Sequence, residues 1–324
     1  MSRDICVCQD FLAPEHRAQI EAAAASVGMT PHFFTESQFE EARACLQNCE
    51  VLYCQFPRLV REAPATLKWF CSSSAGVDYY CTDPTVFKNP DCMLTNSNCY
   101  GVTISEHLIM VTLMLFRRMP EYQAFVRAQD WGHPLPVRSI RGGEFTILGT
   151  GDIGTSYARH LRAMGASKIT GLNRSGKAKD PVYDEVVPIS DLDKVLPGTQ
   201  VLMMALPSTP ETVGILSQER IALLPKDAYV LNVGRGTAVD QDALVEALNS
   251  EAIAGAAIDV TVPEPLPADH PLWTAKNLIL TPHISGNMTL GYTRDTNVDM
   301  FCADLKNYAD GKPLKNLVDR KRGY

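Results

Sequence analysis

The chain has 324 residues, 45% of them apolar, which is enough to bury one large core or two ordinary ones, and two domains is the expected count. A formal net charge of −7 supplies no Lys/Arg cluster for a phosphate backbone, so nucleic acid is not an expected partner. The opening "MSRDICVCQDFLAPEH" carries Asp4 and Asp10 without a long apolar core, unlike a secretory signal, and "LIMVTLMLF" falls short of the ~20 residues that span a bilayer.

A cytoplasmic protein without a membrane segment is therefore expected. Ten cysteines are scattered among apolar residues with no CxxC pair, which reads as reduced, buried thiols rather than disulfides. No metal site is expected.

The first hundred residues alternate apolar runs with helical ones. "ICVC", "HFF", "VLYC", "LKWFCSS" and "CMLTNS" predict strands, and the spacing predicts helices over 15–25 and 37–46. That is a βα pattern, hence a mostly parallel sheet covered on both faces. A long helix is predicted over 105–118, closed by Pro120. From Phe145 a second βα series runs through "FTILG", "KITGLN", "VLMMAL", "AYVLNVG", "AGAAIDV" and "NLILTP", with helices over 153–164 and 241–248 between them. Continuous apolar strands of this kind make a doubly wound domain. One more helix is predicted over 297–308, with no strands beside it, so this end is expected to pack back on the first domain.

Gly149, Gly151 and Gly154 form GxGxxG between an apolar strand and a helix. The first glycine suits a tight turn, the second lets backbone approach a pyrophosphate, and the third allows close helix-to-strand packing, with the helix N-terminus facing the anion. Gly149, Gly151, Asp152, Ile153 and Gly154 are accordingly candidate cofactor contacts. An acidic residue normally ends the second strand, where it bonds the adenosine ribose and repels a 2′-phosphate. Here Asn173, Arg174 and Ser175 stand there, with Lys177 beyond. An arginine can pair with the phosphate and a serine hydroxyl can donate to it, which points to NADP, with NAD possible. The alternative is a solvated basic loop without a ligand.

Three further strand ends carry polar residues: "LNVGRGTAVD" with Arg235, "AAIDVTVPEPLP" with Asp259 and Glu264, and "LILTPHISG" with His283. Singly, each reads as a surface or loop residue. Together, downstream of a dinucleotide turn, they suit carbonyl reduction beside a carboxylate. Arginine offers a two-pronged donor, histidine a proton, and a carboxylate beside the histidine orients its ring.

From about 72 to 315 the chain resembles the D-isomer-specific 2-hydroxyacid dehydrogenases. The resemblance runs through "SSSAGVD", "ISEHLIMVTLMLFRR", "ILGTGDIGTSYARHL", "LPSTPETVGIL", "LNVGRGTAVDQDALVEAL", "AAIDVTVPEPLPADHPLW" and "NLILTPHISG". It implies an α/β fold of two doubly wound parallel-sheet domains, a Rossmann cofactor domain (101–287) inserted in a flavodoxin-like substrate domain (1–100), with 288–324 returning to the latter. It implies that Arg235 holds a 2-oxo acid, that His283 is the acid/base with Glu264 as its partner, and that Asp259 lies by the nicotinamide amide. The loop from Pro207 to Thr212 would contact the cofactor, and backbone amides around Ala75 and Gly76 would help bind the substrate carboxylate between the domains. Family members are usually homodimers, and Trp131 falls in the segment that reaches toward the partner. The chain departs from the usual pattern with Tyr79 and Tyr80 after "AGVD", and with the missing acidic strand end. A regulatory domain like that of the longer phosphoglycerate dehydrogenases is not expected.

The expected activity is reduction of a small 2-oxo acid, such as glyoxylate or hydroxypyruvate, by NADPH to the D alcohol. An NAD-dependent D-lactate or D-2-hydroxyisocaproate type dehydrogenase is the alternative, and a dinucleotide-sensing protein like the related corepressors is the reading from another class.

Overall fold

The computed structural model describes residues 3–83 and 85–323, which divide into two compact units, Met1–Tyr100 with Asn287–Tyr324, and Gly101–Gly286. The first unit is a five-stranded parallel sheet of β1 (Arg3–Cys8), β2 (Met29–Phe34), β3 (Cys49–Cys54), β4 (Trp69–Ser72) and β5 (Met93–Thr95), in the order β2-β1-β3-β4-β5. Period-two alternation sends Cys6, Cys8, Leu52, Cys54 and Phe70 to one face, under Ala42 and Leu46 of α2 (Phe39–Leu46). Ile5, Val7, Val51, Tyr53 and Trp69 go to the other, against Ile20 and Ala24 of α1 (Pro14–Ala25). Runs apolar on both faces are what a covered parallel sheet requires. Pro31 lies within β2, which is tolerable because β2 is an edge strand. Two short helices, α3 (Pro57–Arg61) and α4 (Asp78–Thr82), complete the crossovers. Tyr80 of α4 is buried with its ring edge-on to Phe70, while Tyr79 is exposed and accepts from Arg61 Nε at 2.5 Å.

The second unit begins with α5 (Gly101–Phe116) and α6 (Met119–Arg127), then builds seven parallel strands. They are β6 (Glu144–Leu148), β7 (Lys168–Asn173), β8 (Glu185–Pro188), β9 (Val201–Met204), β10 (Tyr229–Asn232), β11 (Gly255–Ile258) and β12 (Leu278–Leu280), in the order β12-β11-β10-β9-β6-β7-β8. Counted within the unit, this is the doubly wound order 3-2-1-4-5-6 with a seventh strand added, and the winding reverses between β6 and β9. The expected fold class is borne out. Helices α7 (Asp152–Ala163), α8 (Leu192–Val195), α9 (Gln218–Ile221) and α10 (Gln241–Asn249) lie between these strands. Leu148, Leu172, Leu202, Val230 and Ile258 form the core with Leu244 and Leu248 of α10.

Several elements differ from the sequence expectation, and three of them have a plain physical reason. Pro120 does not close α5, which ends at Phe116; the chain reverses at Arg118 (φ 57°), and Pro120 sits in the first turn of α6, where its missing N–H has no partner to lose. β8 is a strand beyond the sequence expectation, because an exposed glutamate and three half-buried residues ending in proline carry little apolar signal and suit only an edge. The last helix, α11, spans Gly291–Ala309 rather than starting at Asn297. Tyr292 in its first turn is exposed, so apolar periodicity begins only near Val298, Phe301 and Leu305, which pack on the first sheet.

Candidate active site

The turn after β6 shows three glycines with three different reasons. Gly149 has φ +99°, and an added Cβ would lie 2.5 Å from the Ala205 carbonyl oxygen, at the reversal between β6 and β9. At Gly154 a Cβ would meet the Gly149 carbonyl oxygen at 2.0 Å, so the helix could not approach the strand. At Gly151 it would meet nothing within 4 Å. That open space, at the N-terminus of α7, fits a pyrophosphate brought against bare backbone. Ile153 is half-buried. The Asp152 carboxylate faces elsewhere: burial pushes its pKa up, and a bond from the Gly101 amide at the start of α5 offsets this. Its contribution to an anion site is therefore limited to its main chain.

At the end of β7, Asn173 organises the loop rather than replacing an acid. Its Oδ1 accepts from the Ser175 amide (3.0 Å), the Ser175 hydroxyl (3.2 Å) and the Gly176 amide (2.8 Å), while Nδ2 donates to Thr150 Oγ1 (2.8 Å) and the Lys177 carbonyl (3.0 Å). The basic loop is thereby tied to the glycine turn, with Arg174, Ser175 and Lys177 exposed. The Glu211 carboxyl is held below its usual range, first by the Thr209 hydroxyl and then by its own amide, with the Arg174 charge adding to the effect. Arg174 therefore stands on the side of the loop that follows β9. Within that loop the Thr212 hydroxyl donates to the Pro207 carbonyl (2.6 Å) and accepts from the Thr209 amide (2.8 Å). Thr212 is a loop staple, buried and engaged.

The carboxyl ends of β10, β11 and β12 carry the remaining candidates. Arg235 sits between two glycines that close contacts require: a Cβ at Gly234 would be 2.7 Å from the Leu206 amide nitrogen, and at Gly236 2.3 Å from the Thr261 carbonyl carbon. Asn232, buried, bonds both sides of this strap, accepting from the Gly234 amide and donating to the Arg235 carbonyl, each at 3.0 Å. The guanidinium donates to the Gly234 carbonyl at 2.8 Å.

His283 and Glu264 form a direct pair, Nδ1 to Oε2, 2.7 Å. Glu264 Oε1 accepts from the Thr261 amide at 2.9 Å, so the carboxylate bridges the ring and the β11 end. Gln241 clamps the same segment, accepting from the Val262 amide (2.8 Å) and donating to its carbonyl (2.6 Å). His283 has φ 55° and donates its amide to the Asp259 carbonyl at 2.8 Å. The Asp259 carboxylate, 2% exposed, accepts from Thr281 Oγ1 (2.6 Å) and from the Ile284 and Ser285 amides (2.9 Å each). With Nδ1 on Glu264, the ring leaves Nε2 to meet a reacting atom. Asp259, Glu264 and His283 thus form one bonded group, joined to the Arg235 strap through Thr261.

Ala75 and Gly76 stand in the other unit, after β4, and are half-buried. Their approach is fixed at Ser73, whose carbonyl accepts from Tyr100 Oη (2.9 Å) and Asn297 Nδ2 (3.0 Å) and whose hydroxyl donates to Gln9 (3.1 Å). Asn96 Nδ2 takes the Ala75 carbonyl at 2.8 Å.

Sequence reasoning missed Asn232, Gln241 and Thr261, which are polar residues of ordinary type. It also missed His107 on α5, whose pKa burial pushes down against the opposing charge of Asp259. Asn232 carried a signal, since a buried polar residue at a strand end needs partners.

Residues 109–285 match the NAD-binding domain of the D-isomer specific 2-hydroxyacid dehydrogenases. The chain belongs to this family. A family relative named glyoxylate/hydroxypyruvate reductase A, from Klebsiella pneumoniae (strain 342), is 37% identical over 227 residues, 69% of this chain and 70% of that one. The NADPH-dependent glyoxylate/hydroxypyruvate reductase of Sinorhizobium meliloti, solved with NADP and sulfate, superimposes over all of both chains with TM-score 0.81 at 27% identity. The D-isomer specific 2-hydroxyacid dehydrogenase of Xanthobacter autotrophicus Py2, solved with NADPH and MES, does so with TM-score 0.81 at 26% identity.

Proposed function

We propose that this 2-hydroxyacid dehydrogenase works as an NADPH-dependent reductase of small 2-oxo acids, glyoxylate and hydroxypyruvate being the first candidates, and yields the D-2-hydroxy acid. The observation that carries the reading is the 2.7 Å His283–Glu264 pair, hung on Asp259 beside the Arg235 strap in a unit that also holds an open glycine turn. The names of the Klebsiella and Sinorhizobium relatives support the substrate class and the cofactor.

When bound, NADPH supplies the hydride. Arg235 pairs its guanidinium with the substrate carboxylate. His283 gives the Nε2 proton to the oxygen of the reduced carbonyl, and Glu264, accepting from Nδ1, fixes the tautomer and stabilises the imidazolium. Three of the roughly four acceptor positions of the Asp259 carboxylate are filled by the His283 loop. Asp259 thereby holds the His283 loop beside the place of the nicotinamide amide. Arg174 and Ser175 pair with the 2′-phosphate, with Lys177 adding charge, while Asn173 shapes their loop and Pro207 to Thr212 wall the cofactor through loop backbone.

The enzyme acts in the cytoplasm, where a reduced NADP pool drives flux toward the hydroxy acid, and it works as a homodimer. Trp131 at 101% relative exposure, with Val126 at 74%, supports a partner covering this segment. No helix of the described residues is long and apolar enough to cross a membrane. NADPH consumption followed spectrophotometrically with a panel of 2-oxo acids tests the activity. Turnover with glyoxylate or hydroxypyruvate is expected, and no turnover with any 2-oxo acid would overturn the reading.

A further inference from the structure

The thiols of the five-stranded unit are not evenly placed. Cys45, in the last turn of α2, and Cys49, the first residue of β3, face each other with Sγ atoms 3.7 Å apart. The turn between them is closed by the Asn48 amide on the Cys45 carbonyl (3.0 Å), and the Cys49 sulfur lies 3.3 Å from that same carbonyl oxygen. Eight of the ten cysteines are buried; Cys45 and Cys81 are the two with partial exposure.

We propose that Cys45 and Cys49 are a peroxide-sensitive dithiol, in which Cys45 is oxidised first and Cys49 resolves it to an intrachain disulfide. Access selects Cys45 and Cys81 from the ten. Their surroundings then separate these two. Hydrogen bonds from the Cys49 thiol and then the Cys6 thiol hold the Cys45 pKa well below the ordinary range, with the His32 charge assisting. Burial pushes Cys81 the other way, and the Asp78 charge adds to that. Thiolate character and access together decide which cysteine meets an oxidant. The Cys49 S–H, which reaches either the Cys45 carbonyl or its sulfur, turns to the sulfur as the thiolate forms.

The chemistry balances with a hydroperoxide as the oxidant. The Cys45 thiolate attacks one peroxide oxygen, the O–O bond breaks, and hydrogen peroxide leaves hydroxide and Cys45 sulfenic acid. Cys49, deprotonated by that hydroxide, attacks the Cys45 sulfur; the S–O bond breaks, the S–S bond forms, and a second hydroxide leaves and is protonated to water. Two electrons pass from the sulfurs to the peroxide. A five-residue loop across one turn needs only local movement, since the sulfurs are already in contact.

The test treats the full chain with limiting hydrogen peroxide and maps the peptides by mass spectrometry, with Cys49→Ser and Cys49→Ala run beside wild type in the presence of dimedone. Wild type should lose two thiols, with the new bond between Cys45 and Cys49, and dithiothreitol should restore both. In Cys49→Ser, whose hydroxyl can still donate to the Cys45 sulfur, dimedone should label Cys45 about tenfold over Cys81; in Cys49→Ala, which removes that donor, Cys45 should still be labelled ahead of Cys81 through the remaining Cys6 bond and His32 charge, by a smaller margin. The alanine variant keeps the site apolar should serine disturb the fold. Labelling of Cys81 ahead of Cys45, a bond from Cys45 to Cys6, or a Cys45 that stays reduced would overturn the proposal.

Discussion

His283 hangs from Asp259: its amide donates to the Asp259 carbonyl at 2.8 Å, while the buried carboxylate takes the next two amides along, those of Ile284 and Ser285, at 2.9 Å. The left-handed φ of 55° at His283 is unusual for a residue other than glycine and is over-determined by these bonds. Asp259 is thus a positioning residue for the ring.

Asp259→Asn keeps the shape and replaces one acceptor oxygen with a donor, so at least one of three donors loses its partner. A buried unpaired group costs ~1–3 kcal/mol. Thermal unfolding should shift down by a few degrees, roughly as such a loss predicts, and kcat should fall by about tenfold or more as the ring loses its aim. Unchanged Tm and kcat would show that the loop is held by other means.

His283→Ala should lower the rate of 2-oxo acid reduction by about 10²- to 10⁴-fold, the range for a lost general acid, with NADPH binding nearly intact. Arg235→Ala should chiefly raise KM for the oxo acid, with kcat falling as well. The two variants are measured side by side by steady-state kinetics and NADPH titration. A His283→Ala enzyme within threefold of wild type, or an unchanged KM in Arg235→Ala, removes the residue from its role.

The glycines of the turn separate folding from binding. Gly151→Ala adds a methyl where nothing lies within 4 Å, so Tm should hold while KM for NADPH rises about tenfold or more, because the methyl occupies space the pyrophosphate needs. Gly154→Ala places its methyl 2.0 Å from the Gly149 carbonyl oxygen and should instead lower Tm, as overpacking of ~1–3 kcal/mol or more would. Calorimetry and NADPH kinetics on both variants check this, and a reversed pattern would contradict the assignment.

Much of this architecture was legible. The central strands β6, β9, β10 and β11 are continuous apolar runs, and the glycine turn has a spacing with a steric reason at each position. What escaped was weakly patterned or doubly meaningful. Pro120 closes a helix or opens one by the same missing N–H, and only the reversal at Arg118 decides. Asn173 reads as a missing acid, yet its side chain makes the five bonds that shape the basic loop. Thr212 reads as a cofactor contact, although its hydroxyl is engaged within its own loop. Side-chain direction, which no residue type reveals, separates such cases.

The most direct test of the account is the ratio of kcat/KM for NADPH to that for NADH, with hydroxypyruvate as substrate, in wild type and in Arg174→Ala. Charge-assisted bonds to a phosphate contribute ~1.5–3 kcal/mol each, which corresponds to about 10- to 100-fold at roughly 1.4 kcal/mol per factor of ten. Wild type should prefer NADPH, and Arg174→Ala should lose about 10- to 100-fold with NADPH while NADH, which has no 2′-phosphate, changes little. A wild type that prefers NADH, or an Arg174→Ala variant whose ratio does not fall, would contradict it.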